Sequence, residues 1–174
     1  VFLAERRAAR SLPPKLAKPE KLASIAIVGG GGIGSGLVVQ LLSAGLDVTL
    51  IEASEGALAK ALARVAHAQE AAEKRGDITA DQRLRDWDRL RADQHIAAVG
   101  GADLVIEAVP ESLSLKSRVL ATIGAELESG VPIFSVSCAF DPVDLASASG
   151  RPDLHLSLYL TEPVRQATLV EEAG

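Results

Sequence analysis

Methionine is absent from the 174 residues, which begin at Val1. Val1 is therefore not expected to be a natural start, and the chain reads as an excerpt of something larger. Its end, Glu171-Glu172-Ala173-Gly174 just after an apolar run, reads the same way. The single cysteine, Cys138, cannot make an internal disulfide, and no paired Cys/His cluster suggests zinc. No run approaches the ~18 apolar residues of a membrane span, and the basic N-terminus lacks a signal-peptide core. Basic residues do not dominate either. The 18 of them against 23 acidic ones leave a charge of −5, which argues against a broad nucleic-acid or anionic-membrane surface. A cytoplasmic setting is expected.

What remains is an ordinary globular composition, 48% apolar and 24% charged, which excludes disorder as the main state. The length suits one domain with a core that needs no staples. Residues 1–22 read as a short basic helix, Phe2–Arg10, followed by a proline-rich linker through Pro13, Pro14 and Pro19. A domain is expected over residues 23–174.

Ser24–Val28 is a continuous apolar run ended by glycines, the pattern of a buried parallel strand. A helix is expected over 33–44, a strand over Asp47–Glu52, and a long helix from Ser54 to Arg75. Ser54 is its N-cap and Gly76 its stop. Thr79-Ala80-Asp81-Gln82 opens a second helix of the pair as a capping box. Strands at Asp103–Val109, Val131–Val136 and Leu154–Leu160 alternate with helices at Leu113–Leu127 and after Asp141-Pro142. That alternation predicts an α/β fold, a doubly wound, mostly parallel sheet with a helical-pair insertion after the second strand. Trp87 is expected to be a packing anchor, and His67 and His95 to lie at the surface.

The sharpest motif is Gly29-Gly30-Gly31-Gly32-Ile33-Gly34, in which Gly29, Gly31 and Gly34 satisfy G-x-G-x-x-G. The first glycine permits a tight turn, the second lets a pyrophosphate approach, and the third lets helix pack on strand. The following helix offers free N–H groups to phosphate. Glu52 ends the next strand, where an acid binds the ribose 2′-hydroxyl. This carboxylate repels a 2′-phosphate, and Ala53-Ser54-Glu55-Gly56 supplies no arginine to clamp one, so NAD is favoured over NADP. FAD stays open, since its proteins share this opening.

Ile25–Leu37, Glu52, Asp103–Glu111 and Pro163-Val164 together resemble the NAD-binding domain of L-3-hydroxyacyl-CoA dehydrogenases, from about residue 23 to 172. Phe2–Arg10 and its linker resemble the join between the hydratase and dehydrogenase parts of multifunctional fatty-acid β-oxidation enzymes. The resemblance implies a Rossmann-type fold, oxidation of a 3-hydroxyacyl-CoA with NAD, companion domains, and a homodimer. It places Glu111 and Lys116 beside the nicotinamide. The alternative is that Glu111 complements a helix start and Lys116 is a surface residue. Lys74-Arg75 falls where a coenzyme A contact is expected, although Ala68 replaces a serine that relatives often carry for it.

The catalytic positions depart from the family pattern. The resemblance puts Cys138 where relatives hold the substrate oxygen with a serine, and Tyr159 where they carry the base histidine. Glu162 takes the place of the following asparagine. Glu171 keeps the type and spacing of the carboxylate that orients the histidine. An imidazole with a pKa of about 6.5 takes a hydroxyl proton at neutral pH, whereas a phenol of about 10 needs a cationic neighbour. Cys138 is otherwise expected to be a small buried hydrophobe. His155, about 13 Å from Tyr159 along a strand, is the alternative base. Two readings follow: a dehydrogenase-derived domain with an atypical catalytic set, or a degenerate nucleotide-binding scaffold.

Overall fold

The computed structural model describes residues 22–160, Val164 and the backbone of residues 171–173. The N-terminal helix and proline linker assigned above therefore fall outside the described residues, as do Glu162 and Pro163.

β1 (Ser24–Val28) is buried along nearly all its length and ends in the glycine loop. α1 (Gly32–Ser43) follows, then β2 (Asp47–Ile51) and the long α2 (Glu55–Arg75). The caps of α2 lie where its sequence puts them. Ser54 Oγ accepts the Ala57 N–H at 3.3 Å, and Gly76 closes the helix in the left-handed region at φ 78°. α3 (Ala80–Asp88) is capped by Thr79, whose Oγ1 accepts the Gln82 N–H at 3.1 Å. The capping box is half made, because the Gln82 side chain turns instead to Asp86 and Arg85. β4 (Leu104–Glu107), α4 (Leu113–Glu126), β5 (Ile133–Val136), α5 (Pro142–Ser149) and β6 (His155–Tyr159) continue the alternation.

Two strands lie where no strand is expected from the pattern. β3 (Leu90–Asp93) runs parallel to β2 at the sheet edge, and β7 (Glu171–Ala173) pairs antiparallel with β6. β3 is half exposed, and its Leu-Arg-Ala-Asp carries neither an apolar run nor β-branched residues. Only the neighbouring edge of β2 makes it a strand.

The sheet order is β3-β2-β1-β4-β5-β6-β7, parallel throughout except at β7. The chain reverses its winding between β1 and β4, so a crevice opens at their C-terminal ends, where doubly wound sheets bind ligands. Ile25, Ile27 and Ile106 face α1 and α2 through Val38, Leu42, Ala61 and Val65. Ala26, Val105 and Ile133 face α4 and α5 through Leu120, Ile123 and Leu145. Both faces of the sheet are thus covered. Trp87 packs against the first of these clusters, as a packing anchor should.

Candidate functional site

A cleft of about 770 Å³ occupies that crevice. Its floor is the glycine loop. Gly29 holds φ at 105°, and a Cβ there would lie 2.6 Å from the Ala108 carbonyl oxygen. A Cβ on Gly34 would lie 1.8 Å from the Gly29 carbonyl oxygen, so the third glycine is what lets α1 meet β1. Gly31 is different. It has an ordinary φ of −64°, and a Cβ on it would meet no atom of the described residues within 4 Å. Gly31 also N-caps α1 with no side chain to satisfy the first turn, leaving its N–H groups open where Gly32 and Ile33 line the cleft.

Gly30 plays a part that the motif does not reveal. A Cβ on it would lie 2.4 Å from that of Ala61, so α2 rests directly on the loop. The Gly30 N–H donates to Glu52 Oε1 at 2.7 Å, and Ala53 N–H donates to Oε2 at 3.3 Å. The contact with Ala61 also carries Lys60 and Arg64 into the cleft lining. An arginine, absent from residues 53–56, thus lines the cleft from the tenth position of α2. Spacing along the sequence did not show it, because the loop-to-helix packing creates it.

The opposite end of the cleft, across β4, β5 and β6, holds Glu111, Cys138 and Tyr159. Glu111 Oε1 accepts the Ser137 hydroxyl at 2.5 Å and the N–H groups of Cys138 and Ala139, each at 3.1 Å. Burial pushes the Glu111 carboxyl up, but these bonds and the Lys116 charge outweigh it and hold the group below its usual value. Glu111 clamps the loop after β5 rather than complementing a helix start. Cys138, expected to be buried, is exposed on that clamped loop.

Lys116 is not a surface residue. It is fully buried beneath the loop, with Nζ 3.0 and 3.1 Å from the two Glu107 oxygens and 2.7 Å from the Val136 carbonyl. Glu111 Oε2 lies 3.6 Å away. Glu107, also fully buried, has its carboxyl pushed up by desolvation, which the Lys116 charge only partly counters. The resemblance implies Lys116 beside a cofactor; the structure places it one layer deeper, holding Glu107, the β5 end and Glu111 together.

Tyr159 is partly exposed at the end of β6. Glu171 lies opposite it in the antiparallel register with β7, so the backbone brings these two positions together. His155 is four residues back on the same strand face, buried among Ile133 and its neighbours. Neither ring nitrogen has a partner among the described residues, and burial lowers its pKa to about 4. It is not among the described residues that line the cleft. His67 and His95 are exposed, as expected, with His95 bonded to Asp93. Among the described residues no His/Cys/Asp/Glu group could hold a metal, and no helix is long and apolar enough to cross a membrane.

Comparison with known proteins agrees with this geometry. The human peroxisomal bifunctional enzyme is 28% identical over 98% of this chain, which spans only 24% of that protein. The L-carnitine dehydrogenase of Pseudomonas aeruginosa is 33% identical over 88% of the chain and 47% of its own length. The crystal structure of (S)-3-hydroxybutyryl-CoA dehydrogenase from Ralstonia eutropha superposes with a TM-score of 0.84 at 26% identity, over 87% of this chain and 54% of that one. The chain therefore spans about a quarter to a half of the relatives it matches. Residues 24–172 match the family described as the 3-hydroxyacyl-CoA dehydrogenase NAD-binding domain, and the chain belongs to that family.

Proposed function

We propose that this chain is the NAD-binding part of a larger 3-hydroxyacyl-CoA dehydrogenase-type protein that holds NAD while its turnover is slow or absent. Gly31 carries the first half of this reading. Its missing side chain answers neither a strained φ nor a clash with the described residues. The residues fit the cofactor: a pyrophosphate over Gly31, Gly32, Ile33 and Gly34 would meet the open N–H groups of α1. Glu52, which keeps acceptor capacity after its two backbone bonds, would take the adenosine ribose. Glu111 and, beneath it, Lys116 would shape the nicotinamide side. When bound, NAD supplies the hydride acceptor.

Tyr159 and Cys138 carry the second half, as the residues standing for the base and the oxygen-holding serine, with Glu171 as the orienting acid. A phenol is a poor acceptor of a hydroxyl proton at neutral pH unless a cation stands beside it. The described cations lining the cleft, Lys60 and Arg64, stand at the opposite end, and Lys116 is committed to Glu107. An acyl-CoA substrate touching Lys74-Arg75, a domain boundary near residue 22, companion domains, a homodimer and a cytoplasmic location belong to the same proposal. A nucleotide-binding scaffold without oxidoreduction is the second reading, favoured by Tyr159 and Cys138.

Titration calorimetry tests the binding. NAD should bind the wild-type chain, and Gly31→Val should abolish binding while lowering the melting temperature only slightly, because the new methyls meet no described residue and cost only a poorer N-cap. Absence of NAD binding to the wild type would overturn the reading.

A further inference from the structure

We propose that Lys60 and Arg64 form a binding site for a phosphomonoester on an adenosine ribose, beside the ribose position at Glu52. The inference rests on the NAD site proposed above and extends it onto the adjoining face of α2.

The contact between Ala61 and Gly30 presses α2 onto the glycine loop, and residues 60 and 64 flank that contact one turn apart. Both line the cleft, and both are exposed to solvent within it. Like charges at i, i+4 repel and weaken a helix, so the pair has no rationale in the stability of α2 itself. Among the described residues neither makes an ion pair; of the other cations on the helical pair, Arg75, Arg83 and Arg89 do, and Lys74 and Arg85 do not. These two cations stand together at the edge of a ligand-sized cleft, with no ion-pair partner among the described residues.

Their relation to Glu52 is fixed by one residue. Arg64 Nη1 donates to the Gly30 carbonyl at 3.1 Å, while the Gly30 N–H donates to Glu52 Oε1 at 2.7 Å. Guanidinium and carboxylate are thus tied to the two sides of Gly30. Arg64 keeps most of its five N–H donors after that single bond, in a planar fork that matches phosphate oxygens. Lys60 adds a mobile point charge. With Glu52 the three groups sum to one positive charge, in a chain whose total is −5. The repulsion that Glu52 alone would exert on a ribose phosphate is offset where it would be felt. The 2′-phosphate of NADP and the 3′-phosphate of coenzyme A share this chemistry.

The experiment titrates NAD, NADP and coenzyme A separately into the wild type, Arg64→Gln and the Lys60→Gln/Arg64→Gln double variant. Lys60 is exposed, and Arg64 gives up only its bond to the Gly30 carbonyl, so melting temperatures should fall slightly at most. The double variant should lose about tenfold or more in affinity for one phosphorylated ligand, as the loss of charge-assisted bonds implies. Its NAD affinity should fall by a clearly smaller factor, because NAD carries no phosphomonoester and loses only what the Arg64 bond to the glycine loop contributes. A loss on NADP assigns the 2′-phosphate, and a loss on coenzyme A assigns the 3′-phosphate. Unchanged affinity for both, or an NAD affinity that falls in the same proportion, would overturn the inference. Failure of NAD to bind the wild type would instead defeat the cofactor reading, whatever the variants do.

Discussion

Lys116 and His155 are both buried and titratable, yet they are satisfied in opposite ways. Lys116 meets a carboxylate with both oxygens and a backbone carbonyl, whereas His155 meets nothing polar among the described residues. Removing one member of a buried pair strands the other, so Lys116→Met should cost about 3–5 kcal/mol in urea denaturation. Adding Glu107→Leu to it should recover much of that loss, a non-additivity that a double-mutant cycle would measure directly. His155 predicts a pH dependence. Its folded pKa of about 4 lies below the ordinary 6.5, so between these values the unfolded chain binds the extra proton. Stability should be full above pH 6.5 and fall as the pH drops toward 4, with a limiting slope of about 1.4 kcal/mol per pH unit. His155→Leu should flatten that slope. Glu111, held below its usual value, adds its own acid loss only below about pH 4.5, so the two windows separate.

At the scale of elements, the helical pair α2–α3 is held by a polar knot rather than by apolar area alone. Asp86 is fully buried and accepts Gln82 Nε2 at 2.7 Å and Gln69 Nε2 at 3.3 Å, with Arg89 at 3.6 Å. Gln69 is equally buried and can satisfy its amide nitrogen there only through Asp86. Asp86→Ala should therefore destabilise by about 1–3 kcal/mol, the cost of stranding buried donors. Hydrogen exchange should show faster opening of α3 before the rest of the domain, because the knot is what ties α3 to α2. Unchanged protection in α3 would show that Trp87 packing and the Arg83 ion pairs to Glu70 and Glu73 hold the pair without the knot.

The whole molecule decides whether the site turns over. The protein from which this chain derives should oxidise 3-hydroxyacyl-CoA slowly or not at all, and Tyr159→His in that full-length protein should raise NADH formation at least tenfold, the low end of what a positioned base contributes. No gain from this change would show that the missing imidazole is not what limits the site. Much of the architecture was legible in the sequence. The apolar runs of β1, β4 and β5, the caps at Ser54, Thr79 and Asp141, and the glycine spacing are local signals, and each sits where local chemistry puts it. β3 was not legible, because Leu90–Asp93 becomes a strand only through the edge that β2 offers. The depth of Lys116, the exposure of Cys138 and the burial of His155 were not legible either. Each depends on which elements stack over the residue, and residue type leaves that open. By itself the sequence determined a doubly wound sheet with a dinucleotide loop, since strand length, helix caps and glycine spacing act within a few residues. Only the tertiary structure decided which charges meet. Gly30 against Ala61 sets Arg64 beside Glu52, and α4 against β4 sets Lys116 on Glu107, because contacts between residues distant in the chain exist only once the layers have packed.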